Sequence, residues 1–521
     1  MTPGSLAQQV AQQIQDFLAE APHAVVVENG EVIFDFSTAK FSITPEANRC
    51  VLQMWSEERN LVRRVVGAEI KPGLLKLLVM RFGQAKPSKL ELCADADRRT
   101  PSAKKVMRAA YQRVLRRTLE RSLPGWTVDK LTAAADLERS FGPVNVRGIV
   151  RHGKSCFAVV GVNAQESQAS VDAALSTGVL WMHQCRERLA DKLHVQGLKL
   201  FVPPKRSEVV RMRMAHLNRE AARWELFELD ERAETIEEID CSDTGNIATR
   251  LVHAPDEQSA KNRFAASIAK VCEICPATEV VVLSAGEIGF RLNGLEFARA
   301  RVDFVPGTFR NAEQIVFGAG AAEIVLSEET EPMLRDLMQR LTAARGFEAR
   351  FADPLYRMNP ERWLEAVVMR DVAALDERLD ASCVYSQVPA FAASDRAMID
   401  VLGVTRKGRL VVIELKANED LHLPMQGLDY WARVRWHHAR AEFQKFGYFA
   451  GRELSNEPPL LMMVAPCLHV HPTTDVLLKY LSPEIEWKLV GVDEHWRDGI
   501  RVVFRKTSDM IPHEERKLFN V

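Results

Sequence analysis

The chain has 521 residues and a mass of 58.7 kDa, too long for one ordinary hydrophobic core and enough for about two to four domains. Hydrophobic residues make up 47% and charged residues 27%, which excludes a disordered, collagen-like or fibrous chain. Sixty-nine basic residues nearly cancel seventy acidic ones, so the chain is no polycation, although a local basic surface remains open to it.

The opening stretch, MTPGSLAQQVAQQIQDFLAE, lacks the basic-then-apolar pattern of a signal peptide. Nine scattered cysteines do not make a secreted disulfide framework, and no run approaches the roughly 18 apolar residues of a membrane span. A cytoplasmic protein without membrane contact is the expectation. Residues 25–43 read as a β-hairpin and a further strand, and LLKLLVMRF at 74–82 as an amphipathic helix with apolar residues three and four apart. A basic helix follows over 104–123, then strands near 126–131, 146–150 and 157–162, a helix over 170–189, the strand GLKLFVP, and a Trp-led strand, WELFELDE, at 224–231. The acidic, polar stretch 231–246 reads as a linker or solvated loop.

The same plan then recurs. Residues 280–300 parallel 25–43, MLRDLMQRL at 333–341 parallels 74–82, 398–417 parallels 145–164, and WKLVGVDE at 487–494 parallels 224–231. The offset stays between 253 and 263 residues in all four, which reads as a tandem duplication. Each copy is an α/β unit with a small α+β leading domain (1–100 and 245–350). A larger mixed-sheet domain flanked by helices follows it (101–240 and 351–521).

The sharpest chemistry lies in the second copy. Asp400 sits early on a strand, and after thirteen intervening residues VVIELKAN places Glu414 and Lys416 on the returning strand. Side chains alternate along a strand, so Glu414 and Lys416 share a face. If the strands pair across the turn, Asp400 meets Glu414, and two such carboxylates repel unless a cation neutralises them. Their oxygens suit Mg²⁺ or Mn²⁺. Lys416 is then placed to orient or deprotonate a water and to offset phosphate charge, while the upstream helix offers Glu365.

The segment MIDVLGVTRKGRLVVIELKANEDLHLPMQGLDYW resembles the PD-(D/E)XK nuclease superfamily, with its restriction-endonuclease-like fold. Asp400, Glu414 and Lys416 match the D…ExK signature, although Asp400 follows MI rather than a literal Pro. Gln426 and Tyr430 are similar to the QxxxY element of RecB-like members, and Glu365, with Glu361 as the alternative, resembles the acid often given by the first core helix. The resemblance spans roughly residues 355–495. It implies a divalent-metal-dependent nuclease, with Asp400, Glu414, Glu365 and the backbone carbonyl of Leu415 as metal ligands. Lys416 would serve the water, and Gln426 and Tyr430 would support the site.

A gapless overlay of the first copy puts Arg147 at the place of Asp400, Gly161 at Glu414 and Asn163 at Lys416, so that copy is expected to be catalytically dead. Residues 61–130 carry seventeen Lys/Arg against six Asp/Glu. Within them Lys104, Lys105, Arg108, Arg113, Arg116 and Arg117 form a candidate phosphate-binding helix. Arg433 and Arg435, interleaved with Trp431 and Trp436, are a second candidate nucleic-acid surface, whose aromatics could equally be core positions of an amphipathic helix. Cys272 and Cys275 lack further zinc ligands nearby, and GAGAAEI at 318–324 lacks the Lys of a phosphate loop. The expected function is a nuclease acting on DNA, cutting one strand per centre or pairing as a homodimer. The competing reading is a non-catalytic nucleic-acid-binding or protein-recruiting scaffold.

Overall fold

The computed structural model describes residues 6–21, 24–28, 31–36, 40–46, 49–55, 60–71, 73–80, 87–94, 101–190, 192–245, 247–304, 311–318, 324–346, 353–391 and 396–510. The chain divides into two units. One comprises Met1–Pro101 and Pro255–Tyr356, the other Ser102–Ala254 and Arg357–Val521.

The first unit holds two sheets. Helix Leu6–Glu20 packs on a seven-stranded antiparallel sheet built from residues 25–93, and a five-stranded meander spans 279–325 with helices before and after it. Both begin with a helix and the expected hairpin, Val25–Asp35 in one and Glu279–Leu292 in the other. Their continuations differ, because Leu74–Met80 is a strand whereas Glu331–Arg345 is a helix. The segment LLKLLVM satisfies both periods, and its burial alternates along the strand, with Leu75, Leu77 and Val79 buried and Leu78 exposed. Pairing on both sides decided the matter; Arg81 and Phe82 lie outside the described residues.

The second unit contains the duplicated α/β frame. Its first repeat runs α1 (Pro101–Ser122), β1 (Thr127–Val128), β2 (Val146–His152), β3 (Ser155–Gly161), α2 (Ala174–Leu189), β4 (His194–Val202), α3 (Glu208–Ala215), β5 (Arg223–Asp230) and β6 (Thr235–Ile239). The second runs β7 (Arg250–Leu251), α4 (Pro360–Arg370), β8 (Leu379–Phe391), β9 (Arg396–Thr405), β10 (Leu410–Leu415), α5 (Leu423–His438), β11 (Leu460–Pro466), α6 (Thr474–Lys479), β12 (Trp487–Val492) and β13 (Val502–Thr507). The sheets are ordered β6-β5-β4-β3-β2-β1 and β7-β8-β9-β10-β11-β12-β13. Setting aside the added edge strand β7, the two orders coincide.

Directions coincide too. β2/β3 and β9/β10 are antiparallel hairpins, and each then continues through two parallel pairings. Central strands β10 and β11 are buried along their whole length, as expected where helices cover both faces. A Cβ added to Gly178 on α2 would stand 2.7 Å from Leu198, and one added to Gly427 on α5 3.0 Å from Leu461. The same close helix-to-strand approach therefore recurs at equivalent places. The acidic stretch read as a linker is in part the edge strand β6, which pairs with β5.

The repeats face each other as an isologous pair would. α2 packs on α6 and α5 packs on α3. Leu217 and Leu481 bridge each other, with Asn218 N donating to Tyr480 O at 2.8 Å and Ser482 N to His216 O at 2.9 Å. Such reciprocity is the mark of a two-fold interface. One apolar core runs through both repeats, joining Val160, Leu198 and Leu226 to Val412, Leu461 and Leu489. Among the described residues, no helix is long and apolar enough to cross a membrane.

Candidate active site

Strands β9 and β10 place the carboxylates. Val401 pairs with Ile413, which brings Asp400 opposite Glu414. Asp400 is fixed by Leu415, whose backbone N–H donates to its Oδ2 at 3.0 Å. Glu414 is 2% exposed, and its Oε2 is buried with no hydrogen-bond partner. Burial, and then the adjacent charge of Asp400, push the Glu414 carboxyl well above the usual range.

Lys416 brings its Nζ to 3.4 Å from Glu414, 3.6 Å from Glu361 and 3.9 Å from Asp420. Burial alone would lower its pKa, but Glu414, Glu361 and Asp400 override that and hold it above the ordinary lysine value. Its Nζ is thus held among acids beside the carboxylate pair.

Glu365, on α4, is 4% exposed and accepts from Arg362 at 3.0 Å and from Gln387 Nε2 at 2.6 Å. The same Gln387 nitrogen lies 3.5 Å from Asp400 Oδ1, so it ties Glu365 to Asp400. Gln387 interrupts β8 with a left-handed backbone, φ 52°, an unusual conformation for a non-glycine residue inside a strand. Sequence reasoning missed it because no periodicity marks such a site. Glu361, the alternative acid, contacts Lys416, and burial and then the charge of nearby Asp400 raise its carboxyl against the pull of that lysine.

One helix turn apart on α5, Gln426 has a buried, unpartnered Oε1, and the Tyr430 hydroxyl is pushed up by burial and then by Glu414 and Asp400. Neighbouring Gly427 explains the intimacy: a Cβ there would also touch that of Glu414, at 3.7 Å. Asp400 and Glu414, whose buried oxygen has no partner, are a carboxylate pair of the kind that suits a hard divalent cation, which takes one or two protein carboxylates and keeps several waters. Among the described residues, no group of three or more His, Cys, Asp or Glu side chains is shaped to hold a metal. Glu365 is bound into Arg362 and Gln387.

The first repeat fills the equivalent place differently. Arg147 stands opposite Val160 as Asp400 stands opposite Glu414. The parallel ladders agree: Gly161 pairs with Phe201 as Leu415 pairs with Val464, and Leu198 meets Trp224 as Leu461 meets Trp487. Hence Val160 replaces Glu414 and Val162 replaces Lys416, one residue from the gapless overlay that chose Gly161 and Asn163. The turn of the second hairpin is one residue longer, which such an overlay does not register. Arg147, 2% exposed, donates to the carbonyls of Gly142 at 3.0 Å and Ala134 at 2.6 Å and lies over Phe141 and Trp181.

Several basic candidates on α1 are engaged locally. Arg108 pairs with Glu166 at 2.9 Å, Arg116 donates to the carbonyls of Val128 and Asp129, and Arg117 pairs with Glu234. Arg113 reaches only its own helix, at Ala109 O, and Lys105 is exposed beside Lys104. On α5, Trp431 is fully buried with Arg435 over its ring, Trp436 lies beneath Arg440, and Arg433 is 4% exposed.

No family model matches the chain, and no curated protein matches it. Among solved structures, it is similar to a repair endonuclease from Pyrococcus abyssi at 13% identity, over 39% of this chain and 87% of that one, with a TM-score of 0.14. It is also similar to EndoMS in a complex with double-stranded DNA, at 11% identity over 40% of this chain and 90% of that one, with a TM-score of 0.15.

Proposed function

We propose that the chain is a divalent-metal-dependent nuclease that hydrolyses phosphodiester bonds of DNA at one centre, built on β9, β10, α4 and α5. The observation that carries this reading is the convergence of Asp400, Glu414 and Lys416 around a buried carboxylate oxygen that no protein donor satisfies. A bound Mg²⁺ or Mn²⁺ would supply charge neutralisation for the carboxylates and Lewis acidity toward a phosphate oxygen. Asp400 and Glu414 would hold it, together with the Leu415 carbonyl. Lys416 stays protonated among its acids, holds the attacking water in line and offsets phosphate charge. Gln387 keeps Glu365 and Asp400 in register, and Tyr430 with Gln426 closes the helix side of the site. The first repeat, with Arg147, Val160 and Val162 in place of the three functional residues, takes no part in hydrolysis.

The test is cleavage of labelled duplex, nicked and single-stranded DNA, and of single-stranded RNA, with Mg²⁺ or Mn²⁺ and with chelator. Metal-dependent cutting is expected, with losses of at least about a hundredfold in Asp400→Asn and Lys416→Ala, the scale of an interaction made in the transition state. Wild-type protein that binds DNA but cuts no substrate under any metal would support the non-catalytic scaffold instead.

A further inference from the structure

The face of α5 that meets the carboxylates also borders a cavity. Gln426, Tyr430 and Arg433 recur at helical spacing, and all three line a cavity of about 240 Å³. Its opposite wall belongs to the first repeat and carries Lys205, Arg206 and Arg211. By the same measure one water needs only about 10–15 Å³, so the space is far larger than a solvent site.

Charge argues for an anion. Arg433 is 4% exposed, yet its Nε and Nη1 are buried without a hydrogen-bond partner. Around the cavity, five basic side chains, Lys205, Arg206, Arg211, Arg213 and Arg433, face three carboxylates, an excess of positive charge that favours an anion. Arg206 is held ready across from it by Gln168 at 2.8 Å and by the carbonyls of Ala164 and Glu166. Of the carboxylates on the wall, Asp429 is engaged by Arg213 through both oxygens and Asp172 accepts from Gln168, with Glu208 the third. The helix that lines this cavity also supplies the residues beside Glu414, so an anion here lies next to the hydrolytic centre.

We infer that the cavity receives a backbone phosphate of the substrate strand close to the one cleaved, gripped by Arg433 of the live repeat and by Arg206 and Lys205 of the dead one. The inactive repeat is then the second wall of the substrate site. This rests on the nuclease reading, but it assigns the dead copy a direct contact with substrate.

The experiment measures affinity for short labelled DNA, single-stranded and duplex, as a function of salt. It uses the full chain carrying Asp400→Asn so that hydrolysis does not intrude. Adding Arg206→Gln or Lys205→Gln is expected to weaken binding about tenfold or less per residue and to reduce the salt slope by about 0.9 per charge removed. Arg206 also braces a loop, so its melting temperature is recorded; Lys205 is exposed and serves as the variant without that role. In the otherwise wild-type chain, the same substitutions should raise KM and leave kcat within about twofold, the signature of lost uniform binding. Unchanged affinity and slope in both variants overturn the phosphate site while leaving the nuclease reading intact. Weakened binding in a protein that never cuts overturns the nuclease reading and keeps the site.

Discussion

Arg147 occupies in the first repeat the place that Asp400 holds in the second. At the position where Asp400 faces Glu414, a guanidinium faces a valine, and burial lowers its pKa while Asp136 works the other way. Its role is structural, because its fork caps the carbonyls of Ala134, Gly142 and Asn145 in the loop 134–145. Arg147→Ala should therefore destabilise the protein by about 1–3 kcal/mol, since part-buried carbonyls lose a charged donor and Phe141 and Trp181 lose their cation. Urea unfolding followed by tryptophan fluorescence measures it. Arg147→Lys should recover only part, because one ammonium does not reproduce the fork. A change below about 0.5 kcal/mol in both would show that the loop does not depend on this side chain.

At the scale of elements, His216 closes α3 where the repeats meet. Its ring lies edge-on to Trp431 of α5, 4% exposed, with Nε2 buried and unpartnered. Burial, and then the nearby Arg435 and Arg219, lower its pKa to about 4. The folded protein therefore binds this proton less readily than the unfolded chain, whose histidine titrates near 6.5. Stability from the neutral ring is fully present above about pH 6.5 and is lost as pH falls toward about 4, a contribution of about 3 kcal/mol. His183 and His437 shift in the same direction, so the measurement is a difference: the urea midpoint of His216→Gln should fall less between pH 7 and pH 4.5 than that of wild type. Equal falls would remove His216 from the account.

The interface that His216 occupies was not legible in the sequence, and the reason is physical. Hairpins β2/β3 and β9/β10 announce themselves, because apolar runs flanking a basic turn have few other ways to fold. Strand alternation puts Glu414 and Lys416 on one face, and the hairpin pairing brings Asp400 opposite Glu414. Non-local contacts carry no local periodicity, so Gln387, the pairing of Leu217 with Leu481 and the cavity around Arg433 were invisible. A strand whose composition also suits a helix, as at 74–80, is settled only by its neighbours.

For the whole molecule, the reciprocal packing has a consequence for the products of the proposed cleavage. Two hydrolytic centres related by a two-fold axis would cut both strands of a duplex. Here the two-fold surface is already occupied within the chain, where α2 meets α6, α5 meets α3 and one core spans the join. A second chain thus finds that face covered, and one of the two centres so related carries Arg147 in place of Asp400. The expected product from supercoiled plasmid is nicked circles that accumulate well before any linear form, at a rate first order in protein. Linear DNA appearing without a nicked intermediate, at a rate rising with the square of protein concentration, would mean that a different surface brings two live centres together. The nicking expectation would then fall, even with the nuclease activity itself established.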